Sequence, residues 1–476
     1  MRPPTLSSTP PSAPPSAPPS SPSRRPFARR GAGAVTLAGA VVLAALAALA
    51  AGPGTAAAAD PPPPRPLVQV EIPGPEAASG ATPAGSGHAL VPVAGRGGPA
   101  PHLSAPAAVA ADGRVTKVVD NGSTADRLDI VVVGDGYTAD QLDRFHADAK
   151  EKWGEITGVE PYTTYQNLFN VWTVDAVSPE SGVSGDPAQG DTRNTALGSY
   201  FWCDGVERLL CVDQDKVDSY VAKAPQADLV LVLANSAKYG GAGYNEPSAK
   251  LGYEGISTAS AGNAKSGQVA IHETGHSLGK LADEYFYPGT PGYEHYSGPE
   301  AGQSNISILT ADRMAADRTK WYRWLGETSP DGGTVGAYEG GGYYVTGLSR
   351  PTDGSIMRIL GKPFNLPGVE AMIAGFYRHA SIATPGVSTA RTLRPSDTAR
   401  VVVPRLAGAR QLTVRWYLDG RELRRYDGRT SLSVRALGLG RGSHTLSVLV
   451  SDRTPSVRDP LLGAGLRGVV RWGVHR

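Results

Sequence analysis

Two histidines set a narrow condition on how this chain folds, because His272 and His276 lie four residues apart with Glu273 between them. Side chains spaced by four residues share one face of an α-helix, so the motif predicts a helix over about 266–280. Two imidazoles one turn apart reach a single zinc ion, whose bonds to nitrogen are about 2.0–2.1 Å long. We therefore predict a zinc site in which Glu273 acts as general base toward a zinc-activated water.

The third metal ligand is expected just beyond this helix. Gly279 follows His276 by three residues, and metzincin zinc peptidases break the helix at this glycine so that a third histidine returns to the metal. Here the position of that histidine is Ala282, which cannot bind zinc. With a turn one residue longer, Asp283 completes a site of two imidazoles and one carboxylate, with a fourth position for water. Glu284 is the alternative ligand, and solvation of a helix end by both acids is the third interpretation.

Three further side chains are weaker candidates. Met357, within residues 354–358, fits the methionine turn that metzincins place beneath the metal, although a methionine in a core is ordinary. Tyr343 and Tyr344 follow a glycine run and are candidate donors to a developing oxyanion. Both are equally consistent with core or surface positions.

The first 59 residues are expected to be an export signal. Residues 23–27 match the Ser-Arg-Arg-x-Phe pattern of twin-arginine signals, and a small, apolar run follows at 31–51. The alanines at 57–59 suit a signal peptidase. The run is long enough for a membrane anchor, but the cleavage pattern favours removal. We predict a secreted protein without stable membrane insertion after cleavage.

Two features of the mature chain fit an exported protein. Residues 60–116 are rich in Pro, Gly and Ala without a helix or strand period, which predicts a linker or pro-segment. Cys203 and Cys211 are the two cysteines of the chain. A lone close pair in an exported chain favours a local disulfide over a metal site.

The segment 117–388 has the pattern of an α/β peptidase domain. Apolar runs alternate with helical segments, which argues for a sheet with helices packed on it. Glycine-rich residues 239–244 are interpreted as a loop or edge strand in preference to a substrate-binding edge. The predicted elements are a strand at 127–134, a helix to about 156, a strand at 169–177, a helix at 217–224 and a strand at 227–234.

Residues 389–476 differ in charge and pattern. They contain 17 Arg, no Lys and 6 acidic residues, for a net charge of +11, whereas residues 60–388 carry 24 basic and 38 acidic residues. Strand-like runs separated by Asp-Gly and Gly-rich turns predict an immunoglobulin-like β-sandwich. Its basic surface suggests an anionic extracellular polymer, or the acidic peptidase domain, as partner, and solvated arginines are the alternative. No nucleic-acid partner is expected, because no stacking aromatics accompany the arginines.

Three passages together resemble the IgA-peptidase family of bacterial metalloendopeptidases. They are Val133-Gly134-Asp135-Gly136-Tyr137-Thr138, the string from His272 to Tyr285, and Ser355-Ile356-Met357-Arg358. The resemblance covers roughly 117–385. It implies a zinc-dependent endopeptidase with a metzincin-like α/β catalytic domain, and it supports Asp283 as third ligand. It does not identify the substrate, so extracellular protein in general is the expected partner.

Two other functions stay open at the level of sequence. One is a secreted binding or adhesion protein with a vestigial or structural zinc site, which would not need Glu273 beside an open coordination position. The other is an amidase or related zinc hydrolase that acts on non-protein wall material. The helix motif fits that chemistry less specifically than peptide hydrolysis.

Overall fold

A computed structural model describes residues 67–71, 88–92, 110–408 and 410–476. The predicted export signal and most of the predicted linker lie outside the described residues. The strands are β1 Leu67–Glu71, β2 His88–Pro92, β3 Val115–Val119, β4 Leu128–Asp135, β5 Phe169–Val174, β6 Leu229–Ala234, β7 Gly241–Tyr244, β8 Ile256–Ser260, β9 Tyr338–Gly341, β10 Tyr344–Arg350, β11 Thr384–Pro385, β12 Thr398–Val402, β13 Thr413–Leu418, β14 Arg421–Glu422, β15 Ser431–Ser433, β16 Ser443–Ser451 and β17 Arg467–His475.

The helices surround these strands. They are α1 Leu142–Thr157, α2 Tyr162–Tyr165, α3 Gln214–Val221, α4 Ser266–Ser277, α5 Ala311–Asp317, α6 Leu366–His379 and α7 Pro460–Gly465. Short 3-10 turns occur at Ala139–Gln141, Gln166–Leu168, Tyr322–Trp324, Arg424–Tyr426 and Val434–Leu437. Among the described residues, no helix is both long and apolar enough to cross a membrane.

The mixed α/β architecture predicted from the sequence is present. The large sheet has the order β2-β1-β7-β8-β6-β4-β5-β3, in which β4, β5, β6 and β8 run parallel and β7 is antiparallel to β8. Every residue of β4 and β6 is buried, as expected for central parallel strands covered on both faces. The predicted strands and helices differ from the observed bounds by a few residues, and residues 239–244 contain the short strand β7.

The turn Gly134-Asp135-Gly136, at the end of β4, holds a neighbouring loop in place. The buried Asp135 carboxylate accepts hydrogen bonds from the backbone N–H groups of Leu197 and Ser199 and from the Thr195 hydroxyl. Gly136 has φ +75°, and a Cβ at this position would lie 2.3 Å from the Gly182 carbonyl oxygen. The turn therefore anchors a long loop to the end of β4.

That loop carries the two cysteines. Cys203 and Cys211 form a disulfide with Cα atoms 5.9 Å apart, as predicted. The loop also contacts the strand next to it, because the Leu210 N–H donates to the Gly241 carbonyl at the start of β7. The disulfide therefore closes a loop that packs against one end of β7.

The C-terminal strands form two antiparallel sheets, one of β11, β12 and β15 and one of β14, β13, β16 and β17. Trp416 of β13 and Trp472 of β17, both in the second sheet, stack on each other with ring centroids 5.8 Å apart. The buried apolar residues of the two sheets are continuous with those packed around α1 and α6 in one hydrophobic cluster. The boundary predicted near residue 388 stays a prediction.

One buried carboxylate joins the C-terminal strands to the rest of the core. Asp452 accepts hydrogen bonds from the hydroxyls of Tyr165 (2.6 Å) and Tyr377 (3.1 Å). Burial, together with the negative charge of Asp452, raises the pKa of both tyrosines, so the hydroxyls stay protonated as donors.

We expect Asp452→Ala to lower the free energy of unfolding by about 1–3 kcal/mol, because it leaves buried hydroxyls without an acceptor. Denaturant unfolding of the full chain measures this loss. The matched control is Asp427→Ala at an exposed position of the same C-terminal region, which should change stability by less than about 0.5 kcal/mol. Equal effects of the two substitutions would contradict the joining role of Asp452.

A histidine at the end of α6 makes the stability depend on pH. The ring nitrogens of His379 lie 3.3 Å from Asp228 Oδ1 and 3.0 Å from Glu254 Oε1. Burial alone would lower the pKa of His379, but the hydrogen bonds and negative charges of the two acids outweigh it and raise the pKa above the ordinary value.

Folding raises the pKa of His379, so its ion pairs with Asp228 and Glu254 stabilise the native state fully below about pH 6.5, the pKa of an unperturbed histidine. This stabilisation is lost as the pH rises through the pKa of His379 in the folded protein. We therefore expect His379→Gln to destabilise the protein more near pH 6 than near pH 9, as measured by denaturant unfolding at both pH values. The exposed His295, replaced in the same way, serves as control and should show no such difference. A loss that is independent of pH would refute the ion pair.

Candidate metal centre

The two motif histidines lie on α4, which packs on β7 and β8. The helix ends at Ser277, three residues earlier than predicted. In the segment that follows the helix, Lys280 adopts the left-handed conformation (φ +51°), whereas Gly279 does not have a positive φ. A Cβ at Gly279 would lie 2.6 Å from the Gly275 carbonyl oxygen and 2.8 Å from Met372 Sδ. Gly279 is therefore required for close packing of the segment after the helix, and the left-handed turn falls at Lys280, one residue after the glycine where the bend was expected.

Past the bend, the chain brings Asp283 back to the two imidazoles. His272 Nε2 lies 3.1 Å from His276 Nε2 and 3.0 Å from Asp283 Oδ1, and His276 Nε2 lies 3.4 Å from the same oxygen. Ligand atoms around a tetrahedral zinc ion lie about 3.3 Å apart, given bonds of roughly 2.0–2.1 Å. The spacing of these three atoms therefore fits a zinc ion.

The hydrogen-bond partner of Nδ1 fixes the tautomer of each imidazole. His272 Nδ1 lies 2.9 Å from the Ile356 carbonyl oxygen, and His276 Nδ1 lies 2.7 Å from the Leu281 carbonyl oxygen. A carbonyl oxygen only accepts, so Nδ1 carries a hydrogen in both rings, and Nε2 is the nitrogen that each ring directs toward the other two atoms. This is the arrangement that a metal ligand requires.

The electrostatics of the two adjacent acids differ. Burial alone would raise the pKa of Asp283, but His276 and His272 beside it outweigh burial and hold the pKa well below its usual range. Burial raises the pKa of Glu284 to about 7, although hydrogen bonds from Asn305 and Asn365 act against this. Asp283 is thus the ionised acid that faces the imidazoles.

Glu284 faces away from the imidazoles and holds the turn in place. Its carboxylate accepts from the side-chain amides of Asn305 (2.9 Å) and Asn365 (3.0 and 3.1 Å). Asn305 also forms two 2.8 Å hydrogen bonds with the backbone of Ala282, where the metzincin pattern has its third histidine. The turn is fixed by these amides, so Asp283 is the residue that reaches the site.

The predicted methionine turn lies directly beneath the motif. Met357 is buried, and a Cβ at Gly275 would lie 2.5 Å from its sulfur, so the glycine of the motif makes room for it. The same segment orients His272 through the Ile356 carbonyl and accepts at the Met357 carbonyl from the Glu284 N–H. The structure therefore places Met357 at the site and gives its segment a positioning role.

Of the two candidate tyrosines, Tyr343 reaches the site. Its hydroxyl donates to Asp283 Oδ2 over 2.8 Å, while Asp283 Oδ1 is the atom near the imidazoles. Tyr343 has φ +74°, and its backbone N–H and carbonyl hydrogen-bond to Tyr285 and Tyr287. The ring of Tyr344 instead packs on those of Tyr293 and Tyr296. Tyr343 therefore fixes the orientation of the Asp283 carboxylate.

Glu273 lies on the sheet side of α4 and is fully buried. A Cβ at Gly243 in β7 would lie 2.0 Å from Glu273 Oε2, so any side chain at this position would collide with the carboxylate. The hydroxyl of Ser277, one turn along, donates to the Glu273 backbone carbonyl. The absence of a side chain at Gly243 is thus the condition for this carboxylate position.

A cleft of about 730 Å³ opens onto the group. It is lined by the ligands His276 and Asp283, by Tyr343, and by the two residues that follow β7, Asn245 and Glu246. Within the described part of the chain, no fourth His, Cys, Asp or Glu side chain joins the His272, His276 and Asp283 group. An ion held by these three residues would therefore face the cleft with a coordination position not taken by protein.

The sequence model of the IgA Peptidase M64 family matches residues 116–332. This part of the chain belongs to the IgA peptidase M64 family. The match confirms the resemblance stated from the sequence, and it includes α4 and Asp283. Met357 and Tyr343 lie beyond the matched residues. No curated protein matches the chain.

The match indicates a peptidase of a metallopeptidase family over residues 116–332, and the sequence had indicated the three residues that cluster in the structure. The sequence did not indicate Asn305, Asn365 or Gly243, and it gave Tyr343 a different role. The asparagines act from 21 and 81 residues beyond Glu284. A single asparagine or glycine carries no local signal of such a partner, so these contacts could be found only in the folded chain.

The hydrogen bond from Tyr343 to Asp283 makes a testable difference to metal binding. We expect Tyr343→Phe to weaken zinc binding by about 10–100-fold, because groups that orient a metal ligand contribute on this scale. Competition with a chromogenic zinc chelator measures the affinity.

Tyr344→Phe is the matched control for this measurement. It removes the hydroxyl of the neighbouring residue, whose ring packs away from Asp283, and should leave the affinity unchanged. An unaltered affinity in Tyr343→Phe would show that the hydroxyl does not orient the ligand.

Proposed function

We propose that the chain is a secreted zinc metalloendopeptidase that hydrolyses peptide bonds in extracellular proteins. The observation that carries this proposal is the group of His272, His276 and Asp283, with two lone pairs and one carboxylate oxygen gathered beside a cleft. The donor set suits zinc, which prefers imidazole nitrogen and carboxylate oxygen in three-residue catalytic sites. The membership of residues 116–332 in the M64 family gives the reaction class.

The zinc ion, when bound, supplies a Lewis acid that polarises the scissile carbonyl and lowers the pKa of water. The charge of Asp283 partly offsets that of the ion, so more of the deprotonation falls to Glu273. In this proposal the Glu273 carboxylate takes a proton from the attacking water and returns it to the leaving amine nitrogen. Tyr343 holds Asp283, and the Ile356 and Leu281 carbonyls hold the imidazoles with Nε2 unprotonated.

The alternative of a binding or adhesion protein with a structural zinc site is less well supported. Structural zinc sites are closed by four protein ligands, whereas three clustered ligands and an adjoining cleft favour an open site. A glutamate next to the first ligand is needed for proton transfer and has no part in a structural site. The hydrolysis of non-protein wall material stays an outcome of the substrate test below.

Further parts of the proposal concern the whole chain. The catalytic domain is proposed to be metzincin-like, on the basis of the bend after α4 and the methionine beneath it. The two C-terminal sheets are proposed as an immunoglobulin-like sandwich over 389–476. Export through a twin-arginine signal and attachment of the arginine-rich region to an anionic polymer stay predictions, supported by sequence alone.

The decisive experiment compares Glu273→Gln with the unaltered chain on a casein or quenched-fluorescence peptide mixture, with and without chelator. We expect the variant to keep its zinc and to lose turnover by about 10²–10⁴-fold, because the general base is removed while the ligands remain. Mass spectrometry of the products locates the new termini, and elemental analysis measures the zinc content.

Glu246→Gln is the matched control, since Glu246 also carries a carboxylate beside the cleft but lies outside the ligand group. It should keep both zinc and turnover. Full activity in Glu273→Gln would exclude Glu273 from the mechanism. A zinc-loaded chain that cuts no protein substrate would favour the binding protein or the wall hydrolase.

A further inference from the structure

The sheet extends past β7 through two strands from residues 60–116, the predicted linker or pro-segment. β1 pairs antiparallel with β7, with Val70 opposite Tyr244 and Glu71 opposite Gly243. β2 pairs with β1 from Leu67 opposite Pro92 to Glu71 opposite His88. We refer to residues 67–71 and 88–92 as the N-terminal hairpin. Gly241, at the start of β7, is bonded on its outer side to the loop at Arg208 and Leu210. Without the hairpin, the part of β7 at Gly243 and Tyr244 would be the outer edge of the sheet.

The edge that the hairpin covers borders the metal centre. Gly243, opposite Glu71, is the residue whose missing Cβ leaves room for Glu273. The residues that follow β7, Asn245 and Glu246, line the same cleft as His276 and Asp283. Because β1 is antiparallel to β7, the residues before Val70 run in the direction of Asn245 and Glu246. The hairpin therefore lies along the strand that leads into the cleft.

A peptide substrate needs this kind of edge. An endopeptidase holds its substrate in an extended conformation, and addition of a strand to a sheet edge does so through backbone hydrogen bonds that do not depend on side chains. The short, glycine-rich strand β7 offers such bonds next to Glu273. A strand already paired there blocks the same donors and acceptors.

We propose that the N-terminal hairpin, through the backbone of Val70 and Glu71, occupies the outer edge of β7 as an internal competitor of an extended peptide substrate. The proposal rests on the proposed peptidase function and adds how substrate gains access to the site. A segment tethered to the same chain competes at a high effective concentration. Full activity then requires the N-terminal hairpin to leave β7, and a substrate must displace it.

The test uses the full chain with Val70→Pro and Glu71→Pro together, since proline has no N–H and does not extend a strand ladder. Competition lowers the fraction of chains that can bind substrate, which raises the apparent KM and leaves kcat unchanged. We expect the double variant to show an apparent KM about tenfold or more lower at the same kcat. Within residues 241–244, amide hydrogen exchange should become faster at Gly243 and Tyr244, which pair with β1, and not at Gly241, whose N–H donates to the Arg208 carbonyl.

Leu67→Pro is the matched control, because Leu67 pairs with β2 and has no partner in β7. It should leave KM and the exchange of residues 241–244 unchanged. The single variant Glu71→Pro guards against misfolding of the double variant and should shift both quantities in the same direction. A synthetic peptide of residues 66–72, added to the single variant, should inhibit competitively and restore slow exchange at β7.

Different results would refute the competition by the hairpin and the peptidase function. Faster exchange at Gly243 and Tyr244 together with an unchanged KM would overturn the competition, since the edge would be free without benefit to substrate. Unchanged exchange in both proline variants would also overturn it, since no pairing would have been lost. Absence of hydrolysis in every variant, with exchange altered as expected, would instead refute the peptidase function and leave the hairpin pairing standing.

Discussion

The metal centre depends on two hydrogen bonds from imidazole to backbone. Each ring donates from Nδ1 to a carbonyl, of Ile356 for His272 and of Leu281 for His276. These bonds fix the tautomer and orient both lone pairs, so a metal ion would meet ligands already in place. Both acceptors lie outside α4, in the segment with Met357 and in the bend after the helix. The helix alone therefore does not make the site, and the two following segments complete it.

The bend after α4 shows how local packing decides which of two adjacent acids faces the imidazoles. Asn305 holds the backbone at Ala282, and Asn305 and Asn365 together hold the carboxylate of Glu284. With its neighbours fixed on both sides, Asp283 is directed toward the imidazoles, where Tyr343 binds its second oxygen. The choice between two adjacent acids, which the sequence left open, is therefore made by amides and a hydroxyl from distant segments.

The sequence predicted the parts of the structure that have a local cause. The spacing of His272 and His276 predicted the helix and the convergence of the two imidazoles, and the apolar runs predicted β4 and β6. Elements formed by long-range pairing were missed. The strand β8 reads Ile-Ser-Thr-Ala-Ser, which is too polar to suggest a buried strand, yet all five residues are buried between β6 and β7. Residues 67–71 and 88–92 showed no strand period, and β1 and β2 are strands because they pair with each other and with β7.

Three glycines around the site limit how the protein can be stabilised. Replacing glycine by alanine commonly adds about 0.4–1 kcal/mol by restricting the unfolded chain. At Gly243, Gly275 and Gly279 the added methyl group would meet Glu273, the sulfur of Met357 and the carbonyl of Gly275, all within 2.6 Å. Engineering for heat tolerance must therefore leave these positions alone. The backbone entropy they retain in the unfolded chain is a permanent cost of placing a carboxylate, a sulfur atom and a sharp chain reversal so close to two imidazoles.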